Sequence, residues 1–123
     1  LSGGERQRTI VAMALAQSCP VMLLDEPVTS LDLQHQYSIM DLVNQLVNDR
    51  VECAVVSIHD LSLAGQYCDR LVMLSDGMVL VEGCPKEVLT EENILMVYGI
   101  NVSVIPHPQT GTPVVLGISG YLE

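Results

Sequence analysis

The sequence predicts an α/β fold in which helices flank a mainly parallel sheet, and three observations predict it. Apolar runs at 21–24 and 53–58 have the length and composition of strands that are buried on both faces, as in a parallel sheet. Segments with a helical spacing of apolar residues, at 2–18 and 33–48, alternate with these runs, which is typical of such sheets. Two hairpin patterns follow, the second of them at 101–118.

Length and composition indicate one small globular domain. The chain has 123 residues, of which 49% are hydrophobic and 16% are charged. No apolar run approaches the roughly 20 residues that a membrane span requires. The sequence begins Leu1-Ser2-Gly3-Gly4, without a methionine or a signal peptide. We therefore expect it to be part of a longer protein.

Charge and cysteine content exclude two classes of function. The formal net charge is −10 and only five residues are basic, which disfavours nucleic-acid binding because that relies on basic patches. The four cysteines form no C-x-x-C pair, and no Cys/His spacing matches a metal site. We expect all four to be reduced packing residues of a cytosolic protein.

The first helix begins with an unusual pair of glycines. Ser2 and Glu5 have the spacing of a capping box, so a helix is predicted to start there. Gly3 and Gly4 are poor helix formers, each unfavourable by roughly 1 kcal/mol relative to alanine, and a cap does not need them. They would let a ligand approach bare backbone N–H groups at the positive end of the helix, which suits phosphate. An ordinary helix cap is the alternative.

Two carboxylates follow the first strand directly. The apolar run 21–24 lies between Pro20 and Pro27, and Asp25 and Glu26 stand where the strand should end. In open parallel sheets, ligands bind outside the carboxyl ends of the strands. A hydrophobic run followed by Asp is the Walker B pattern, in which the Asp helps to hold the Mg²⁺ of a bound nucleotide, and the next Glu suggests a base or a water-positioning group. A core strand followed by an acidic turn is the alternative.

The middle of the chain repeats this arrangement of strand and polar end. A polar loop at 28–32 leads into the helix 33–48, and the second apolar strand, 53–58, has His59 immediately past its end. A lone His after a strand is commonly a turn residue, which is the alternative to a functional role. The buried stripe of the 33–48 helix is predicted at Leu33, Tyr37, Met40, Val43 and Val47.

The second half consists of short elements with clear turn signals. Asp60 can cap a short helix at 61–68, and Asp76-Gly77 joins two strands as a hairpin. The chain breaks at 83–85. A helix then opens at 90–92, and Gly99 closes it.

Together these motifs resemble those of the ATP-binding cassette (ABC) ATPases, in the order found in that family. The resemblance covers the whole chain. The signature motif corresponds to 1–5, the Walker B strand to 21–26, the D-loop to 30–32 and the switch histidine to His59.

The resemblance implies a role for each residue at the strand ends. Asp25 would hold Mg²⁺, through water, and Glu26 would orient or deprotonate the attacking water. His59 would contact the γ-phosphate of ATP. Such chemistry requires positioned charge and an in-line water more than covalent catalysis.

The resemblance also implies a second copy of the subunit. Ser2, Gly3 and Gly4 would bind the γ-phosphate of ATP held by that partner. Asp32 would cross the interface of the homodimer and couple the two sites.

Departures from the family pattern define which part of it is present. Val28 stands where Thr is usual, no G-x-x-x-x-G-K-[ST] occurs, and the sole lysine, Lys86, lies in Gly-Cys-Pro-Lys. The Gln-bearing loop that follows the phosphate loop in the family is also missing. The fold expected is therefore the C-terminal part of an ABC-type P-loop NTPase domain, with 1–83 in its core and 84–123 as a helix and hairpin extension. We expect the 123-residue chain by itself to be inactive.

Segments of the second half resemble importer ATPases for iron-siderophores, haem and cobalamin. The resemblance implies an ATP-binding and ATP-hydrolysing subunit with ATP and Mg²⁺ as cofactors. Its partners would be a second ABC subunit, membrane permease subunits and a substrate-binding protein, at the cytoplasmic face of the membrane. The alternative is a soluble ABC ATPase of translation or DNA repair, but such proteins carry a second cassette or a long coiled-coil insertion. The segments concerned are 57–64, 67–70, 83–85, 88–90, 97–100 and 108–113.

Overall fold

A computed structural model describes residues 3–17 and 20–119 of the protein. They form two units, a first up to His59 and a second from Asp60 onward. Within the described ranges, no helix is long and apolar enough to span a bilayer. The predicted boundary between 83 and 84 stays a prediction.

The first unit alternates helices and strands as the sequence predicts. Its elements are α1 (Gly3–Gln17), β1 (Val21–Leu24), α2 (Leu33–Asp49) and β2 (Cys53–Val56). Strands β1 and β2 pair in parallel, from Val21 opposite Cys53 to Leu24 opposite Val56. Their carboxyl ends therefore meet at one edge of the sheet.

Strand β1 is buried on one face, and the prediction of burial on both faces is wrong for it. Met22 and Leu24 are buried, whereas Val21 and Leu23 are exposed, Leu23 to 69%. Among the described residues only one side of the strand is covered, so its side chains alternate between core and solvent.

Helix α2 lies where the sequence predicts it, but its buried residues differ in part from the predicted ones. Met40 and Val43 are buried as expected, but the other buried positions are Ile39 and Leu46. Leu33 is 68% exposed because it lies in the first turn, beside the preceding loop. The buried face is thus turned by about one residue from the prediction.

The second unit is built from hairpins and short helices. Its own core is formed by Met73, Val88, Leu89, Ile94 and Val102. The elements are α3 (Leu61–Tyr67), β3 (Leu71–Ser75), β4 (Met78–Gly83), α4 (Pro85–Val88), α5 (Glu91–Tyr98), β5 (Val102–Pro106) and β6 (Pro113–Gly117). Strands β3 and β4 pair as one antiparallel hairpin, and β5 and β6 pair as another.

Local signals explain most of these boundaries. Asp76 and Gly77 both have positive φ, 51° and 74°, as the predicted turn requires. Gly99, at φ 70°, ends α5 in the left-handed conformation. Helix α4 was not predicted from the sequence, which shows only a chain break there. Pro85 in its first turn and the Glu87 carboxylate, which accepts from the Cys84 N–H, favour this single turn, and Val88 is fully buried in the core of this unit.

The described cysteines are free thiols. Cys53 is exposed, so the prediction that it is a packing residue is wrong, because it lies on the uncovered face of β2. Cys68 and Cys84 are half-buried, and burial, followed by the charge of Asp69, raises the pKa of the Cys68 thiol.

Candidate functional site

The two carboxylates lie at the carboxyl end of β1, where the sequence predicts them. Asp25 and Glu26 follow Leu24 directly, and both residues are exposed. Glu26 has φ 49°, in the left-handed region that non-glycine residues avoid. Backbone strain of this kind, on the order of 1–3 kcal/mol, concentrates at functional sites.

Ser57 joins the two carboxylate-bearing residues. Its backbone N–H donates to the Leu24 carbonyl at 3.0 Å, which continues the β1–β2 pairing by one residue. Its Oγ donates to Asp25 Oδ1 at 2.7 Å and accepts from the Glu26 N–H at 2.7 Å. Sequence reasoning missed Ser57 as a site residue. The available signal was a hydroxyl directly past the strand that neighbours β1.

His59 completes this group by contacting Glu26. His59 Nε2 is hydrogen-bonded to Glu26 Oε1, with the two side chains 80% and 43% exposed. The structure therefore brings together Asp25, Glu26, Ser57 and His59, and we call these four residues the acidic cluster. The roles of its members in catalysis stay predictions.

The acidic cluster fits a nucleotide-associated Mg²⁺ better than a metal site made by protein alone. No group of three or more His, Cys, Asp or Glu able to hold a metal ion occurs in the part of the chain that the structure describes. Mg²⁺ commonly takes one or two carboxylates and completes its coordination with water and substrate phosphates. Asp25 presents an exposed carboxylate oriented by Ser57, which fits that mode, and its role as a Mg²⁺ ligand stays a prediction.

Arg6 connects helix α1 to the loop that follows the acidic pair. Its guanidinium donates to the Pro27 carbonyl at 3.1 Å and to the Thr29 carbonyl at 2.6 Å. The loop also contains Ser30 at φ 66°. The sequence analysis did not assign a role to Arg6. The available signal was its position directly after the signature motif.

A depression of about 370 Å³ lies between α1 and β1, beside the acidic pair. Its wall includes Ile10, Met13 and Leu23, with Arg6 and Glu26 at its charged part. The wall is largely apolar, so it suits packing better than phosphate binding.

Asp32 ends the loop and caps α2. Its Oδ1 accepts from the His35 backbone N–H at 3.0 Å and contacts His35 Nδ1 at 2.8 Å. These hydrogen bonds, first that of the backbone N–H and then that of the side chain, hold the pKa of the Asp32 carboxyl below its usual value. Asp32 is thus a helix cap within its own subunit, and its predicted role at a dimer interface stays a prediction.

The two described glycines of the signature motif differ in their surroundings. A Cβ at Gly3 would lie 2.0 Å from Cδ2 of His35, whereas a Cβ at Gly4 would meet nothing within 4 Å. Ser2, and with it the predicted capping box, lies outside the described residues. Gly3, Asp32 and His35 therefore form a second group of contacts. Gly4 takes no part in it, because the space around it is unoccupied.

Comparisons with known proteins identify relatives of this chain. A family model described as ABC transporter matches residues 1–29. The cobalamin import ATP-binding protein BtuD of Halobacterium salinarum is 48% identical over 111 residues, which is 90% of this chain and 28% of that protein. The ferric enterobactin transport ATP-binding protein FepC of Escherichia coli is 41% identical over 116 residues, 94% of this chain and 43% of that protein.

The chain belongs to the ABC family. It spans less than half the length of these curated relatives. The family predicted from the signature, Walker B, D-loop and histidine motifs is confirmed.

Solved structures of ABC proteins share the fold. A metal-chelate type ABC transporter in an inward-facing conformation superposes with a TM-score of 0.82 at 24% identity, over 98% of this chain and 48% of that one. The ATP-binding cassette MJ0796, in a dimeric post-hydrolysis state bound to ADP and Pi, gives a TM-score of 0.56 at 37% identity, over 68% of this chain and 36% of that one. The predicted fold class, the C-terminal part of an ABC-type P-loop domain, is confirmed.

Proposed function

We propose that this chain is the C-terminal part of the ATP-hydrolysing subunit of an ABC importer that energises uptake of an iron-siderophore or a related metal chelate. The observation that carries the proposal is the acidic cluster at the carboxyl edge of β1 and β2. There Glu26 is in contact with His59, and Ser57 links it to Asp25.

The acidic cluster supplies the groups that hydrolysis of ATP requires. Mg²⁺, when bound, neutralises charge on the phosphates, and Asp25 would hold it through water. Glu26 accepts a proton from the attacking water or orients it, and its contact with His59 fixes the direction of its carboxylate. The largely exposed ring of His59 supports its proposed contact with the γ-phosphate.

The signature end of α1 is assigned to ATP held by a second copy of the subunit. Gly4 supports this assignment because the space around it is open and it lies in the first turn of a helix, where backbone N–H groups favour anions. The dimeric state of the MJ0796 cassette, bound to ADP and Pi, is consistent with a homodimer.

The importer assignment rests on the relatives. BtuD and FepC are named for cobalamin import and ferric enterobactin transport, and the solved transporter is of a metal-chelate type. By this likeness the subunit works with membrane permease subunits and a substrate-binding protein, as a peripheral protein at the cytoplasmic face of the membrane.

Replacement of Glu26 tests the catalytic part of the proposal. In the full-length protein, Glu26→Gln should leave ATP binding intact and suppress turnover by roughly 100-fold or more, because the amide keeps the shape of the side chain and loses its basicity. His59→Ala should also lower turnover, by an amount that depends on how far Glu26 is displaced. The control is Glu92→Gln, at an exposed carboxylate of the second unit. Unchanged turnover in Glu26→Gln would contradict the role of Glu26.

Complementation tests the transport part. A strain lacking the gene should recover uptake of a ferric siderophore, haem or cobalamin with the wild-type full-length gene and not with Glu26→Gln. Uptake of all three compounds that is equal with and without the wild-type gene would refute the importer assignment.

A further inference from the structure

We propose that His35 is a positioning residue that holds Asp32 and the D-loop against the first turn of α1. On this proposal, residue 3 is glycine because the imidazole of His35 occupies the space that a side chain would need. The inference rests on the proposed ATPase function and adds His35 to it, a residue that the sequence motifs did not single out.

A side chain at position 3 would force the ring of His35 to move. A Cβ at position 3 would lie 2.0 Å from Cδ2, 2.4 Å from Cγ and 2.8 Å from Nε2 of the ring. Carbon atoms pack at about 3.5–4.0 Å, so an alanine there would require the ring to move by more than an ångström. Gly3 is buried, which leaves little room for the helix to move instead.

The ring is 41% exposed and can turn toward solvent, but its present position is set by its contact with Asp32. Its Nδ1 lies 2.8 Å from Asp32 Oδ1, and the backbone N–H of His35 donates to the same oxygen at 3.0 Å. An ionised carboxylate only accepts, so Nδ1 is the donor. The lowered pKa of Asp32 agrees with a carboxylate that accepts both bonds. Displacing the ring would break the side-chain bond and leave the backbone bond alone.

One imidazole therefore links two motifs within a single subunit. Gly3 belongs to the signature motif and Asp32 to the D-loop, and both contact His35. A change at Gly3 would then reach Asp32 without any ligand. Gly4 has no such contact, so the two glycines are required for different reasons, Gly3 for packing and Gly4 for access.

A double-mutant cycle in the full-length protein tests this link. The variants are Gly3→Ala, His35→Ala and the two combined, with His35→Asn as the conservative variant because its amide can donate near the position of Nδ1. For each variant, kcat and KM for ATP, MgATP-driven dimerisation and the melting temperature are measured.

The proposal predicts a specific pattern of losses. Gly3→Ala and His35→Ala should each lower kcat roughly 10-fold with KM for ATP unchanged, since both remove the side-chain hydrogen bond that helps to hold Asp32. The double variant should be no worse than His35→Ala alone, because alanine at position 35 removes all three close ring atoms. His35→Asn should stay within about threefold of wild type, and this rescue is a result that loss of packing alone would not give.

Three outcomes would overturn the proposal. The losses of Gly3→Ala and His35→Ala could multiply in the double variant, which would mean that Gly3 is needed for the ligand and not for the ring. The His35→Ala variant could keep wild-type kcat. The kcat of His35→Asn could fall as far as that of His35→Ala. Failure of the proposed function itself is recognised separately, because wild-type protein would then show no ATPase activity that Glu26→Gln removes.

Discussion

Removing the hydroxyl of Ser57 is the sharpest test of how the acidic cluster is organised. In Ser57→Ala, Asp25 loses the O–H donor at 2.7 Å and the Glu26 N–H loses its acceptor at 2.7 Å. Both carboxylate-bearing residues would then be held by fewer contacts, and Glu26 would keep its strained φ of 49° without that hydrogen bond.

The magnitude follows from the two hydrogen bonds. A bond to a charged group contributes about 1.5–3 kcal/mol and a neutral one about 0.5–1.5 kcal/mol. All three residues are exposed, so water replaces part of each bond and the lower ends apply, which together give about 2 kcal/mol. If that free energy acts on the geometry of the transition state, turnover should fall roughly 30-fold. The effect on unfolding should be small, because nothing buried is left without a partner.

The assay is steady-state ATPase activity of the full-length protein together with its melting temperature. Ser57→Thr keeps a hydroxyl and should retain most of the activity. Ser62→Ala is the control, since Ser62 Oγ accepts from the Val115 N–H at 2.9 Å within the second unit. A Ser57→Ala variant with turnover within twofold of wild type and equal to Ser62→Ala would refute the role of Ser57.

Three further predictions follow from the structure. Gly4→Asp should fold normally, since nothing lies within 4 Å of its Cβ, but its carboxylate should repel the γ-phosphate and abolish MgATP-driven dimerisation. Gel filtration with and without MgATP measures this. A variant that still dimerises would show that this turn is an ordinary helix start. Arg6→Ala should lower the free energy of unfolding by about 1 kcal/mol in urea, because two backbone carbonyls lose their donor, whereas the exposed Arg8→Ala should not. Asp32→Asn should be less stable than wild type at neutral pH. The pKa of Asp32 is lower in the folded than in the unfolded protein. Its ionised carboxylate therefore adds to the free energy of unfolding above the unfolded-state pKa of about 4, and this stabilisation is lost as the pH falls through the folded-state pKa. The melting temperatures of wild type and Asp32→Asn should therefore converge in acid. A difference between them that does not change with pH would count against the role of Asp32 as a cap.

Much of the first unit could be predicted because its signals are local. The apolar run of β1, the acidic pair after it and the cap residue Asp32 each depend on a few neighbouring residues. His59 stands past the second strand, where a lone His is commonly a turn residue, and only its order among the other motifs indicates a role for it. The resemblance of these motifs in order then predicted the family.

What escaped prediction depends on packing between distant segments. Ser57 is hydrogen-bonded to Asp25 only because β1 and β2 pair in a particular register, and that register cannot be predicted from a single sequence. His35 contacts Gly3 only because α1 lies against α2. The sequence alone does not show that a neighbouring ring lies against position 3. The exposure of Leu23 likewise depends on which face of the sheet is covered.

The positive φ of Glu26 means that folding and function favour different residues at that position. Glycine, and to a lesser degree asparagine, adopts φ near 49° more readily than glutamate. A library selected for thermal stability alone should therefore accumulate glycine at position 26 and discard the carboxylate. Stabilised versions of this domain would have to fix that position first, because part of its marginal stability is the consequence of keeping a reactive group on a turn that would otherwise be glycine.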